Sequence, residues 1–146
     1  WQPRQSVATL ASAMDVGNPS NMERLRSLYP AIDQVRGQVT AYSVSDAEIR
    51  ATIQRDATEL GQVWCPHTAT AVRALEILRA RGEHGAWAVV ATAHPAKFEA
   101  IVEPLVGGAV AVPPALAALL ARPSRAEPLA ADYRALRDRL AATDVQ

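Results

Sequence analysis

With 146 residues, 49% of them apolar, the chain is long enough for one domain that buries roughly two-thirds of its unfolded surface. Fifteen basic and fifteen acidic side chains leave the formal charge at zero, so no broad field draws nucleic acid or an anionic membrane surface. No apolar run reaches the ~18 residues that a membrane-spanning helix needs, and a single cysteine, Cys65, excludes an intrachain disulfide and suits a reducing cytosol.

Trp1 opens the chain without an initiating Met, and Trp1-Gln2-Pro3-Arg4 reads as the interior of a longer polypeptide. Pro3, Gly17 and Pro19 break any period up to Ser20, which is the expected N-cap of a short helix carrying Met22, Leu25 and Leu28. Val39 to Val44 is β-branched and aromatic and predicts a strand, and Ser45-Asp46-Ala47-Glu48 is a capping box that opens a helix to about Leu60, with Gly61 stopping it. Pro66 suits a first helical position, and Ala69, Val72, Leu75 and Leu78 continue an amphipathic helix to about Arg81-Gly82. The run Trp87 to Ala93 lacks polar alternation and predicts a strand buried on both faces. Pro95 then opens a helix to about Val106, closed by Gly107-Gly108, and two more helices are expected near Pro114–Leu120 and Ala130–Leu140. Alternation of strand and helix argues for an α/β layered fold.

Three places hold chemistry-bearing side chains. Thr92 and His94 lie at the junction from the strand-like run into the next helix, where doubly wound sheets open a ligand crevice, and a buried threonine hydroxyl there needs a partner. Lys97 is the only lysine, which invites a Schiff-base reading, but it falls within the first helical turns and is turned away from the strand end, so a structural surface role is assigned. Asp15-Val16-Gly17-Asn18-Pro19-Ser20-Asn21 ends at a helix start, where Gly admits close backbone approach and Asn and Ser supply neutral donors, a composition that suits a phosphate or carboxylate as well as an ordinary capped loop. Cys65-Pro66-His67 offers two ligands where zinc needs three or four, so no metal site is expected. His67 is left open between a packing or capping residue and a pocket rim, and His84 in its Gly-rich turn is expected in solvent.

Four ordered stretches carry a resemblance: Pro3–Leu10, Ala13–Arg24, Cys65–Ala69 and Ala91–Phe98, with Leu129–Leu136 as a tail. Together they resemble the threonine synthase family, over essentially the whole chain and in the register of its C-terminal third to half. The resemblance implies a tryptophan-synthase-β-like pyridoxal 5'-phosphate fold, a mostly parallel sheet flanked by helices, with residues 1–146 as the C-terminal portion. It implies that the Schiff-base lysine and the cofactor-phosphate loop belong to an N-terminal half outside this sequence, which would be the partner of this piece. By the same resemblance Thr92 would meet the cofactor's ring nitrogen through a neutral hydroxyl, His94 would line the pocket, and Asn18, Ser20 and Asn21 would bind the substrate phosphate. The implied reaction converts O-phospho-L-homoserine and water to L-threonine and phosphate, in the cytoplasm, with no nucleic acid or membrane involved. The alternative is a non-catalytic α/β interaction or regulatory module derived from such an enzyme.

Overall fold

A computed structural model of the chain describes residues 2–124 and 126–142. In chain order it contains a 3-10 turn Ser12–Met14, helices α1 Met22–Leu28, α2 Ile32–Gln38, α3 Asp46–Glu59 and α4 Pro66–Ala80, a 3-10 turn Pro95–Phe98, then α5 Glu99–Val106, α6 Pro114–Leu120 and α7 Tyr133–Ala141. Two compact units divide at Ala111 and Val112. The first holds α1 to α5 and every expected site residue; the second holds α6 and α7.

No strand occurs among the described residues, which overturns the expected α/β fold with its mostly parallel sheet. The two runs expected as strands, 39–44 and 87–93, are present as irregular chain. The physical reason lies in what a strand requires. β-branched and apolar side chains favour extended backbone, but a strand exists only when a neighbour completes its hydrogen-bond ladder. Helix needs no such neighbour, because its bonds close within the segment. The expectation that 87–93 is buried on both faces also fails: Trp87 is 48% exposed and Val90 72%.

Helix boundaries follow local signals closely. Ser45 Oγ accepts from the Glu48 N–H at 3.3 Å and Glu48 Oε2 accepts from the Ser45 N–H at 2.9 Å, the reciprocal box that opens α3. Leu60 caps its end and Gly61 follows at φ 64°. Pro66 sits in the first turn of α4, whose cap is Cys65: its Sγ accepts from the Thr68 N–H at 3.5 Å. The helix expected from Pro95 is divided, a 3-10 turn running into α5, and Gly107 ends it in the left-handed region at φ 72°. Helix α2 was not expected from the apolar spacing; Gln34 Oε1 accepts from the Ala31 N–H at 3.1 Å and secures its first turn.

The buried apolar cluster of the first unit comprises Ala11, Ile49, Ile53, Ala69 and Val102, with Leu10, Val44, Val63, Trp64, Phe98, Leu105, Val106 and Val110 packed around it. On α3 the buried residues Ile49, Thr52, Ile53 and Asp56 recur at spacings of three and four, one face of a helix turned to α4 and α5. Asp56, 2% exposed, is satisfied by Arg55, whose Nη2 lies 2.6 Å away, and by the Trp64 indole N–H at 2.8 Å. Arg55 also pairs with Glu76, and Arg73 joins Glu76 at 3.1 Å to Glu48 at 3.2 Å. A chain of charges thus ties α3 to α4 beside the apolar contact. Its carboxylates hold both guanidiniums more firmly protonated than usual, Glu76 contributing first in each case. No described helix is long and apolar enough to cross a membrane.

Candidate functional site

The segment from Arg4 to Gly17 has little regular structure of its own, and several of its amides are satisfied by side chains, from within the segment and from α3. Asp15 accepts from both the N–H and the hydroxyl of Thr9 at 2.7 Å, and Asp46 accepts from the Leu10 N–H at 3.0 Å. Ser6 Oγ accepts from the Gly17 N–H at 3.0 Å, while the Arg4 N–H donates to the Gly17 carbonyl at 3.1 Å. These crossings leave no room at Gly17: an added Cβ would lie 1.7 Å from the Arg4 carbonyl oxygen. Glycine is required there for close approach.

Asn18, Ser20 and Asn21 follow directly and are all exposed. Asn18 and Ser20 share a cleft of about 350 Å³ with Pro3, Met22, Glu23 and Arg26, and Ser20 and Asn21 line another of about 510 Å³ with Ala13, Met14 and Val16. The expected N-cap moves from Ser20 to Asn21, which is itself helical and makes no side-chain cap bond. The Met22, Glu23 and Arg24 amides donate to the carbonyls of Pro19, Ser20 and Asn21 at 3.4, 3.2 and 3.1 Å. Helix-terminus amides are therefore already engaged, and an anion here would be met by side chains. Arg26, which sequence reasoning passed over, is the cation of the first cleft; its place one turn beyond Met22 on α1 was the available signal.

The Thr92 to Phe98 junction is differently built from the strand-end geometry anticipated. Thr92 is exposed rather than buried, so its hydroxyl does not carry the cost of an unpaired buried group. His94 caps the 3-10 turn, its Nδ1 accepting from the Ala96 N–H at 3.2 Å. That bond holds the ring through Nδ1. Lys97 is exposed within the turn, and Phe98 packs on the apolar cluster. His84 is in solvent. The clefts holding Asn18, Ser20 and Asn21 do not include Thr92 or His94 among their lining residues. A third, apolar groove of about 490 Å³ runs between α4 and residues 87–90, lined by Tyr42, Ala71, Leu75, Leu78 and Trp87, and it holds none of the expected site residues.

His67 resolves to the interior. It is 7% exposed, and its Nε2 accepts from the Ala13 N–H at 3.0 Å, across 54 positions of sequence. Its ring lies 5.0 Å from that of Phe98, tilted by 53°. With Nε2 accepting, the neutral ring carries its proton on Nδ1, and that buried nitrogen has no partner among the described residues. An unpaired buried donor costs about 1–3 kcal/mol.

Against known proteins, the family described as threonine synthase, C-terminal, matches residues 68–139. A threonine synthase of Serratia marcescens is 38% identical over 137 residues, 94% of this chain and 31% of the relative. That of Escherichia coli strain K12 is 38% identical over 138 residues, with the same shares. Threonine synthase 2, chloroplastic, of Arabidopsis thaliana is 34% identical over 101 residues, 67% of this chain and 18% of the relative. The crystal structure of Escherichia coli threonine synthase is similar at a TM-score of 0.78 and 34% identity, over 98% of this chain and 33% of that one. The chain spans about a third of the length of the curated relatives it matches. These matches, extending past both clefts and the Thr92 junction, bear out the sequence resemblance: the chain belongs to the threonine synthase family, in the register of its C-terminal part.

Proposed function

We propose that this chain acts as the C-terminal part of a threonine synthase, which converts O-phospho-L-homoserine and water to L-threonine and phosphate. The observation that carries the reading is similarity along 94% of the chain to proteins of that name. In this reading a lysine-bearing part of the enzyme, beyond the third represented here, completes the site, and residues 1–146 do not turn over substrate alone. The enzyme works in the cytoplasm.

The residues present fit pyridoxal 5'-phosphate in their donor chemistry. Thr92 offers an exposed, neutral hydroxyl, and His94 is held in one ring orientation by the Ala96 amide. Bound, the cofactor would supply the electron sink for elimination of phosphate and hydration of the product. Thr92 would hold the ring nitrogen by hydrogen bonding without the ion pair that an aspartate would bring. His94 would line the ring, with Nδ1 held by the Ala96 amide. Asn18 and Ser20 would donate to the substrate phosphate in the cleft that also holds Arg26, whose charge favours an anion there, while Asn21 would bind from the adjoining cleft.

The test uses the complete polypeptide that carries this chain. It should release phosphate from O-phospho-L-homoserine and form threonine stoichiometrically. Thr92→Val should keep the melting temperature, change the cofactor's absorbance spectrum and lower kcat about tenfold or more, a loss of about 1.4 kcal/mol or more in transition-state stabilisation. Unchanged kinetics and spectrum in Thr92→Val would remove the cofactor assignment, and absence of threonine formation would remove the activity.

A further inference from the structure

We propose that His67 is a positioning residue, a buried latch that holds the substrate-phosphate loop and the cofactor-side turn in fixed relation. The proposal rests on the functional reading above for what the two segments bind. The latch itself rests on contacts of one imidazole. Nε2 receives the Ala13 N–H at 3.0 Å, and the ring face meets Phe98 at 5.0 Å.

Each contact leads to one side of the site. Ala13 sits in the 3-10 turn Ser12–Met14 and itself lines the cleft that contains Ser20 and Asn21. Phe98 ends the turn that His94 caps, four residues beyond that cap and six beyond Thr92. His67 stands at the start of α4, in a buried run Pro66–Ala69, so its own backbone is fixed by the helix and the apolar cluster. The irregular segment before Gly17 is held to α3 by the Asp46 bond to the Leu10 amide and to α4 by the His67 bond to the Ala13 amide, so loss of His67 as acceptor frees its Ala13 end. His67 receives the amide of Ala13, a residue that lines the cleft.

The acceptor at Nε2 separates this role from packing. Phenylalanine would fill the space beside Phe98 with the same ring contact. What imidazole adds over phenylalanine is an acceptor for the Ala13 amide. Imidazole here supplies a bond that phenylalanine cannot, and it leaves Nδ1 buried without a partner among the described residues.

The decisive measurements use the complete polypeptide carrying this chain, with 15N-labelled histidine. In the unaltered protein, His67 Nε2 should show the chemical shift of an unprotonated, hydrogen-bonded nitrogen, with a through-bond coupling to the Ala13 amide. A proton on Nε2 at neutral pH would overturn the latch without any variant being made. His67→Phe keeps the ring and loses the acceptor. It should hold or raise the melting temperature, speed Ala13 amide exchange about tenfold or more, and raise the KM for O-phospho-L-homoserine about tenfold while kcat stays within about threefold. His67→Gln returns an acceptor at the reach of Nε2 and should bring KM back to within about threefold of the parent. Unchanged Ala13 exchange in His67→Phe, or faster exchange with unchanged KM, defeats the proposal. A parent polypeptide without turnover is a failure of the functional reading instead, and the latch then stands or falls on the Nε2 shift and Ala13 exchange.

Discussion

At Gly17 the geometry leaves one residue type. The Arg4 carbonyl passes so near that alanine's methyl would displace backbone, not a flexible side chain, and the Arg4 N–H bond and the Ser6 bond at Gly17 would both be disturbed. The neighbours affected are Asn18 and Ser20, one and three residues on. On the proposed reading, in which Asn18 and Ser20 bind the substrate phosphate, Gly17→Ala should raise the KM for O-phospho-L-homoserine in the complete enzyme more than it lowers kcat. Steady-state kinetics on the variant check this; equal loss in both parameters would place the loop nearer the chemistry. The glycine was visible in sequence, and its suitability for close approach was legible from the surrounding Asn, Pro and Ser. That Arg4 would be the approaching group was not, because nothing in either residue's local pattern marks a pairing 13 positions apart. His67 shows the same limit more sharply. Cys65-Pro66 fixed its place at a helix start, yet its partner Ala13 contributes only a backbone amide, which has no signature in sequence.

Helices were legible where their signals are local. The Ser45–Glu48 box, Gly61, Pro66, Pro114 and Gly107 marked ends that the structure reproduces to within a residue or two. The strand-like runs 39–44 and 87–93 were not, since their side chains record a preference for extended chain and the ladder that would make them strands depends on other segments. The α3 capping box also makes stability respond to acid. Glu48's carboxyl is held below its ordinary 4.5, first by the Ser45 N–H, then by the Ser45 hydroxyl, then by Arg73. A carboxyl depressed in the folded state stabilises the fold above its unfolded value, and that contribution disappears as pH falls through the lower folded value. Thermal melts from pH 7 to about 3 should thus show a shallower acid decline in Glu48→Gln than in the parent, because the amide cannot lose the interaction by protonation. Ser45→Ala removes the oxygen that receives the Glu48 N–H and should cost about 1 kcal/mol at neutral pH. Its acid decline should largely remain, as the foremost cause of the depression is Ser45's backbone. Equal acid slopes in Glu48→Gln and the parent would show that the box contributes no pH dependence.

The molecule as a whole hangs on few buried groups. Ala11, Ile49, Ile53, Ala69 and Val102 come from four separate segments of the first unit and meet in one cluster, while Leu28, Ile32, Trp87 and Val90 remain in solvent. Ile53 has the most to lose: it is fully buried on the face of α3 that meets α4 and α5, and the ion pairs on the adjoining surface cannot replace its contacts. Surface pairs of that kind contribute about 0–1 kcal/mol each. Ile53→Ala removes three carbon atoms from a closed environment and should destabilise by about 2–5 kcal/mol, the higher end if the surroundings do not collapse into the space. Leu28→Ala deletes an equally large side chain at an exposed position on α1 and should change stability by no more than about 0.5 kcal/mol. Urea titrations of the two variants beside the parent, followed by helical circular dichroism, separate the outcomes. A midpoint in Ile53→Ala no lower than in Leu28→Ala would mean that this cluster does not hold the helices together, and that contacts outside it carry the stability of the fold.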